Sequence, residues 1–261
     1  SAKKAVDEIM EQKAFGDAGS KIVIEEFLVG EELSLLAFTD GKTVLPLDSA
    51  QDHKQAYDGD KGPNTGGMGA FSPALIFTEE LKEQVMNEVM IPAVRGMEAD
   101  GIVYKGLLYA GLMLTESGPK TLEFNARFGD PETQPLLLRM KNDIVPIFQA
   151  CIDGTLSEHE LDWDSKIAVC VVMAAEGYPG SYQKGIEING LKEAEESGAV
   201  VFHAGTRSNG DKVETSGGRV LGVTALGDTM EAALSCSYEA VEKISWDGIH
   251  YRKDIGRRGE L

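Results

Sequence analysis

Residues 122–133 read Leu122-Glu123-Phe124-Asn125-Ala126-Arg127-Phe128-Gly129-Asp130-Pro131-Glu132-Thr133. If Thr121 to Arg127 is a strand, its side chains alternate between two faces. Leu122, Phe124 and Ala126 then share a packing face, and Glu123, Asn125 and Arg127 share the other. A carboxylate, an amide oxygen and a guanidinium in a row offer a hard cation two oxygen ligands and a neighbouring phosphate a fork of donors. The segment reads as a metal-phosphate site. The exposed polar side of an edge strand shows the same alternation, so the rest of the chain has to decide.

The chain has 261 residues, enough for one large domain or two smaller ones, and its patterning predicts two. A hydrophobic content of 42% and a charged content of 26% match a globular protein in water. No apolar run approaches the roughly 20 residues that span a bilayer, so no membrane partner is expected. Forty-three acidic against 25 basic residues give a formal charge of -18, which repels a phosphate backbone and makes nucleic acid an unexpected partner. Small anionic substrates stay open, because a metal ion and a few local cations invert the field inside a cleft. Cys151, Cys170 and Cys236 are widely spaced and odd in number, which indicates neither a disulfide framework nor a zinc site and suggests a reducing, cytoplasmic compartment. His53, His159, His203 and His250 lack metal-ligand spacing. The first residue is not Met, no signal peptide follows, and Ala2, Ala5, Val6, Ile9 and Met10 recur at helical spacing. A helix from residue 1 to about residue 13 is expected, inside a fragment of a longer polypeptide.

Further along, Lys21 to Leu28 and Glu32 to Phe38 read as strands, and Asp40-Gly41 marks a hairpin returning through Thr43 to Leu47. Residues 49–73 are polar and glycine-rich and read as a long functional loop. Thr78 should cap a helix carrying Leu81, Val85, Val89 and Met90, which Pro92 should kink or interrupt. Strands over Gly106 to Thr115 and Lys120 to Arg127 form a second hairpin. An amphipathic helix over residues 133–152 ends at Asp153-Gly154, the expected domain edge. Beyond it come strands near 166–175, 199–204 and 219–225, and a helix entered at the Asp228-x-x-Glu231 capping box with Leu234, Tyr238, Val241 and Ile244 buried. Residues 156–261 thus form a smaller α+β domain.

Two other stretches carry chemistry. In Ile24-Glu25-Glu26-Phe27-Leu28-Val29-Gly30-Glu31-Glu32, a strand passing between lobes can offer backbone groups to an adenine edge and a carboxylate to ribose hydroxyls. A solvated acidic turn is the plainer reading. The glycines of residues 62–69 match neither G-x-G-x-x-G nor the P-loop, but free backbone N-H groups to approach an anion. Asp52, His53 and Lys54 just ahead could bind a charged substrate or simply face water.

Five ordered runs resemble the ATP-grasp superfamily and, within it, the glycinamide ribonucleotide synthetases, or phosphoribosylamine-glycine ligases. They are Ile-Val-Ile-Glu-Glu-Phe-Leu from Ile22, Ser-Ala-Gln-Asp-His-Lys from Ser49, Gly-Pro-Asn-Thr-Gly-Gly-Met-Gly-Ala from Gly62, the stretch from Leu122 through Gln134, and Tyr-Arg-Lys-Asp-Ile-Gly from Tyr251. Val172-Met-Ala-Ala-Glu-Gly-Tyr-Pro-Gly and Phe202-His-Ala-Gly-Thr extend the resemblance into the second domain.

The resemblance implies an α+β fold with an antiparallel ATP-grasp core over residues 1–155 and the smaller domain over 156–261. It implies ATP-dependent joining of glycine to 5-phosphoribosylamine through a glycyl phosphate, in purine synthesis. It assigns magnesium (or manganese) to Glu123 and Asn125, and the transferring phosphoryl group to Arg127. Glu25, Glu26, Leu28 and Glu32 go to ATP; Asp52, Lys54, Asn64 and Asp130 go to glycine and phosphoribosylamine. Two departures accompany it. The acidic ligand that many ATP-grasp proteins carry on the preceding strand would fall near Ala110. The family's N-terminal segment, its phosphate-covering loop and two ATP-contacting lysines would precede Ser1, so the fragment is expected to be inactive alone. A ligase with another acceptor and a non-catalytic nucleotide-binding module are the competing readings.

Overall fold

A computed structural model describes residues 2–257; Ser1, at the head of the expected first helix, and residues 258–261, at the end of the expected second domain, lie outside the described residues. Contacts divide the chain into two compact units, residues 1–30 and 31–261.

In the first unit, α1 (Ala2–Val6) continues as a wider helical turn over Asp7–Glu11. Residues 21–30 are extended but unpaired among the described residues, so the strand expected over Lys21 to Leu28 does not form. Val23, Ile24, Phe27 and Val29 are 74–90% exposed. Their β-propensity favours an extended backbone, but a strand also needs a neighbour to pair with.

The second unit begins with the hairpin of β1 (Glu31–Thr39) and β2 (Val44–Asp52). Its turn follows from the sequence: Asp40 Oδ1 accepts the Lys42 and Thr43 amides at 3.0 and 2.8 Å, and Gly41 takes φ 95°. Residues 49–73 are largely strand rather than loop, comprising the end of β2, a small hairpin of β3 (Gln55–Tyr57) and β4 (Lys61–Asn64), and β5 (Gly69–Ser72). Their polar composition misleads because Ser49, Gln51 and Asp52 are buried.

Thr78 caps α2 (Glu79–Val85), its hydroxyl accepting the Leu81 amide at 3.2 Å. The helix widens over Met86–Met90 and resumes as α3 (Ile91–Ala99), so Pro92 is absorbed by a loosened turn instead of a break. Next come β6 (Gly106–Thr115) and β7 (Gly118–Asn125). The helix expected over 133–152 is two helices, α4 (Thr133–Arg139) and α5 (Ile144–Asp153). Asp143 caps the second by accepting the Val145 amide at 2.9 Å, and Gly154 closes it at φ 80°.

The remaining elements are β8 (Ile167–Ala175), α6 (Leu191–Glu196), β9 (Val200–His203), β10 (Thr206–Asn209), β11 (Lys212–Thr215), β12 (Arg219–Gly227), α7 (Met230–Val241) and β13 (Ile249–His250). The cap of α7 is Thr229, which accepts the Ala232 amide at 3.2 Å, one residue after the expected Asp228.

One nine-stranded antiparallel sheet runs β7-β6-β1-β2-β5-β8-β12-β9, with β13 also on β8. Strand alternation sorts its two faces. Leu33, Leu35 and Ala37 pack with Val85, Met90 and Val94 of the α2–α3 helix, whereas Leu36 and Phe38 pack with Ile147 and Ala150 of α5. At the other end, β8, β12 and α7 form a third core around Val169, Val223 and Val241. Arg139, 4% exposed, bonds Asp48 Oδ2 (2.7 Å) and Ser72 Oγ (2.8 Å), and fixes the 164–166 linker through two of its carbonyls. Among the described residues no helix is long and apolar enough to cross a membrane.

Candidate functional site

Along β1, the face that carries Leu36 and Phe38 into the core carries Glu32 and Ser34 at its other end. These two line a cavity of about 190 Å3 with Asp52, Lys54 and Asn64 from the β2–β4 segment, Tyr109 from β6 and Glu123 from β7. Five of the residues singled out in the sequence therefore meet in one place. A larger groove of about 480 Å3 lies against α7, but its walls mix Glu231 and Glu242 with Lys253 and Arg257 and include none of those residues.

The cavity's floor is a buried charge cluster. Lys54 Nζ lies 2.6 Å from Asp52 Oδ2, and Asp52 is 2% exposed. Burial, reinforced by the charge of Glu132 and only partly opposed by Lys54, pushes the Asp52 carboxyl up to about 7. Burial alone would lower Lys54, but the charge of Asp52 and the bond between them outweigh it and hold the ammonium above its ordinary value. Glu132, also 2% exposed, accepts the hydroxyls of Ser34 and Tyr109 on Oε1, both at 2.9 Å. Burial and then the charge of Glu132 raise the Tyr109 phenol far above its usual range, so it stays a neutral donor.

On β7, Glu123 pairs with Gly111 and Asn125 with Tyr109, and Asn125 Nδ2 donates to Glu123 Oε1 at 3.0 Å. The two expected metal ligands therefore share a face and touch. Among the described residues no group of three or more His, Cys, Asp or Glu is arranged to hold a metal. Across from these ligands β6 offers Gly111 and Tyr109, whereas Ala110 pairs with Phe124 on the opposite face. One carboxylate and one amide oxygen are too few for a structural metal ion. They fit magnesium, which keeps several waters and takes further ligands from substrate phosphates.

The strand stops at Asn125, two residues short of the expected end. Phe128 turns inward to pack edge-on against Phe38 and Phe148, at ring separations of 6.2 and 6.3 Å, which draws the chain off the sheet edge. Arg127 consequently lies outside the strand, exposed, with Nη1 donating to the Phe128 carbonyl at 2.9 Å. Leu122 and Phe124, the expected packing face, are 38% and 47% exposed because β7 is the outermost strand.

Asp130 does not line the cavity. It forms an ion pair with Arg219 Nη2 at 2.9 Å, while Arg219 Nη1 donates to the carbonyls of Asp130 and Gly66. Arg219 thereby joins the glycine-rich stretch and the Asp130 loop to β12. Gly67, at φ 114°, has no room for a side chain: a Cβ there would lie 2.4 Å from Pro131 Cδ and 2.6 Å from Asp52 Oδ1. Glu25, Glu26 and Leu28 belong to the first unit, where both glutamates are exposed on the extended segment and Leu28 is half-buried.

Two family models match this chain: the phosphoribosylglycinamide synthetase ATP-grasp (A) domain over residues 1–133 and the C domain of the same synthetase over 168–258. The chain belongs to the phosphoribosylglycinamide synthetase family. A phosphoribosylamine–glycine ligase of Yersinia pestis is 52% identical over 259 residues, covering 98% of this chain and 60% of that protein. This chain thus spans about 60% of the length of the curated relatives it matches. The crystal structure of phosphoribosylamine–glycine ligase from Thermotoga maritima superposes with a TM-score of 0.85 at 35% identity, over 97% of this chain and 64% of that one. A biotin carboxylase domain from Hydrogenobacter thermophilus, solved with MgADP, ADP and bicarbonate, superposes with a TM-score of 0.66 at 15% identity, over 95% of this chain and 53% of that one, and shares the ATP-grasp fold.

Sequence reasoning passed over Ser34, Tyr109, Glu132 and Arg219. The first two look like ordinary core-strand residues, and only the pairing of β1 with β6 brings them together. Glu132 and Gly129 stood inside the opening motif, and only the structure relates them: a Cβ on Gly129 would lie 2.6 Å from Glu132 Oε2, so that glycine makes room for the carboxylate.

Proposed function

We propose that the complete polypeptide joins glycine to 5-phosphoribosylamine using ATP, and that this chain supplies the acceptor cavity and the metal-binding strand. The carrying observation is that Glu32, Asp52, Lys54, Asn64 and Glu123 converge on one cavity in a chain 52% identical to a phosphoribosylamine–glycine ligase. The cavity, of about 190 Å3, sets the residues proposed for the acceptor substrates, Asp52, Lys54 and Asn64, beside Glu32 and Glu123, which are proposed for ATP and its metal.

In this reading the glycine carboxylate attacks the γ-phosphorus of ATP, ADP leaves, and the amine of phosphoribosylamine attacks the resulting acyl phosphate with loss of phosphate and a proton. Lys54 orients the anionic substrate, and Asn64 adds a hydrogen bond at the cavity wall. Asp52, with its pKa near 7, accepts the amine proton as the carbon–nitrogen bond forms. Asp130 holds its loop over the acceptor side through Arg219. Glu25, Glu26, Leu28 and Glu32 serve the nucleotide, and Arg127 swings from the Phe128 carbonyl to the transferring phosphoryl group. Magnesium, or manganese in its place, would be held by Glu123 and Asn125 and would neutralise charge on the ATP phosphates. The family-model matches leave residues 134–167 between them, which supports a boundary near residue 155 between the ATP-grasp part and the C-terminal part.

The test is to incubate the complete polypeptide with ATP, magnesium, glycine and phosphoribosylamine, and to follow phosphate and product by chromatography. Equal amounts of phosphate and glycinamide ribonucleotide are expected, with no turnover by residues 1–261 alone. Phosphate release only with a different acceptor would replace this reading with that of another ATP-grasp ligase. Nucleotide binding without ligation would replace it with that of a non-catalytic module.

A further inference from the structure

Lys54 and Asn64 reach the cavity from the two ends of the β3–β4 hairpin, which stands apart from the main sheet. At its base, the N-H and hydroxyl of Thr65 both donate to the Lys54 carbonyl at 2.8 Å, and Gln55 pairs with Asn64. Its tip is unfavourable by itself. Gly59 and Asp60 both take left-handed backbone, at φ 71° and 52°, and Asp pays a steric penalty there that glycine would not.

Residues 250–256 hold that tip. Arg252, 1% exposed, forks onto Asp254 with two bonds of 2.8 Å, and its Nη1 reaches Asp60 Oδ1 at 2.9 Å and the Gln55 carbonyl at 3.1 Å. The Gly59 amide donates to Asp254 Oδ2 at 2.7 Å, and the Lys253 amide donates to Asp58 Oδ1 at 2.8 Å. His250 Nε2 donates to the Ala56 carbonyl at 2.8 Å and its ring sits edge-on to Tyr57. An arginine this deeply buried is tolerated only where each face of the fork finds an oxygen. The requirement also explains a non-glycine residue at position 60, since its carboxylate completes the set.

We propose that Arg252 is a positioning residue: by locking the 58–60 turn it fixes the hairpin that presents Lys54 and Asn64 to the cavity. The assignment rests on reading the cavity as the acceptor-substrate site. In the complete polypeptide, Arg252→Gln is expected to speed amide hydrogen exchange of residues 57–61 by about tenfold or more, leaving residues 221–225 unchanged. It should raise KM for glycine or phosphoribosylamine about fivefold or more, with kcat and the KM for ATP within about twofold. Arg252→Lys keeps the charge without the fork and should fall between. Asp60→Asn should loosen the same amides while sparing the Arg252–Asp254 pair, which covers the case of a poorly folding Arg252→Gln. Exchange is measured without substrates and so reports on the hairpin whatever the cavity binds, whereas ligation by the unmutated enzyme tests the cavity's substrates separately. Unchanged exchange at 57–61 in Asp60→Asn and the Arg252 variants, or faster exchange with unchanged KM values, overturns the proposal.

Discussion

At Asp52 a carboxyl group is held out of water between a cation, Lys54, and an anion, Glu132, and its pKa near 7 compares with about 3.9 for the free side chain. Between those values the folded chain binds the proton more tightly than the unfolded one, so this group's contribution to stability falls as pH rises from about 4 to about 7 and levels off above. At about 1.4 kcal/mol per unit the ceiling is about 4 kcal/mol. Asp52→Asn removes the titration and keeps the shape. Urea unfolding across that range should therefore show the variant gaining on the parent as pH rises, and a constant difference would mean that Asp52 does not titrate there. For the metal strand, Glu123→Ala and Asn125→Ala in the complete polypeptide should each lower kcat/KM for magnesium-ATP about 100-fold, with partial recovery at high magnesium. Unchanged steady-state kinetics in both variants would remove the assignment. Single residues were legible where spacing along one strand decides their placement, as with the shared face of Glu123 and Asn125. Tyr109 and Ser34 were not, because their role depends on which strands become neighbours, and spacing along one strand carries no such information.

Among elements, the stretch of residues 62–69 is held most tightly. Its glycines read as freeing backbone N-H groups for an anion, and in the structure Gly67 has a further role: its left-handed φ and the lack of space around Cβ serve packing against Asp52 and Pro131. Gly67→Ala should therefore lower ligation at least about tenfold and lower the thermal midpoint, since both backbone strain and overlap oppose the methyl group. An alanine variant with parental activity and midpoint would show that the loop yields freely. Removing the hydroxyl cap in Thr229→Ala should cost about 1 kcal/mol, measured by denaturant unfolding, without affecting activity. The caps at Thr78 and near Thr229, the Asp40-Gly41 turn and the close at Gly154 were readable to within a residue or so, whereas the break between α4 and α5 and the β3–β4 hairpin were not. The Lys21 to Leu28 strand was not, because hydrophobic alternation reports a tendency and pairing needs a second chain segment. The end of β7 was missed because Phe128, which redirects the chain, finds its partners Phe38 and Phe148 far away in sequence.

For the molecule as a whole, β5 pairs with β8 from Gly69 to Ser72, so the strands that support the cavity continue directly into those of the C-terminal part. A polypeptide truncated at residue 155 would leave β5 as a bare edge and uncover Met68 and Phe71, which pack with Val169 and Val171. Loss of cooperative thermal unfolding by circular dichroism is expected, and a truncated chain that still melts sharply would show that the first part folds unaided. The continuity was hidden in the sequence because Asp153-Gly154 closes a helix convincingly and gives no hint that the sheet resumes beyond it. With Arg219 clasping the 66–67 and 130 loops onto β12 and a shared sheet beneath them, the two sides of residue 155 are knitted into one compact unit, so a cut there severs a common framework instead of a tether.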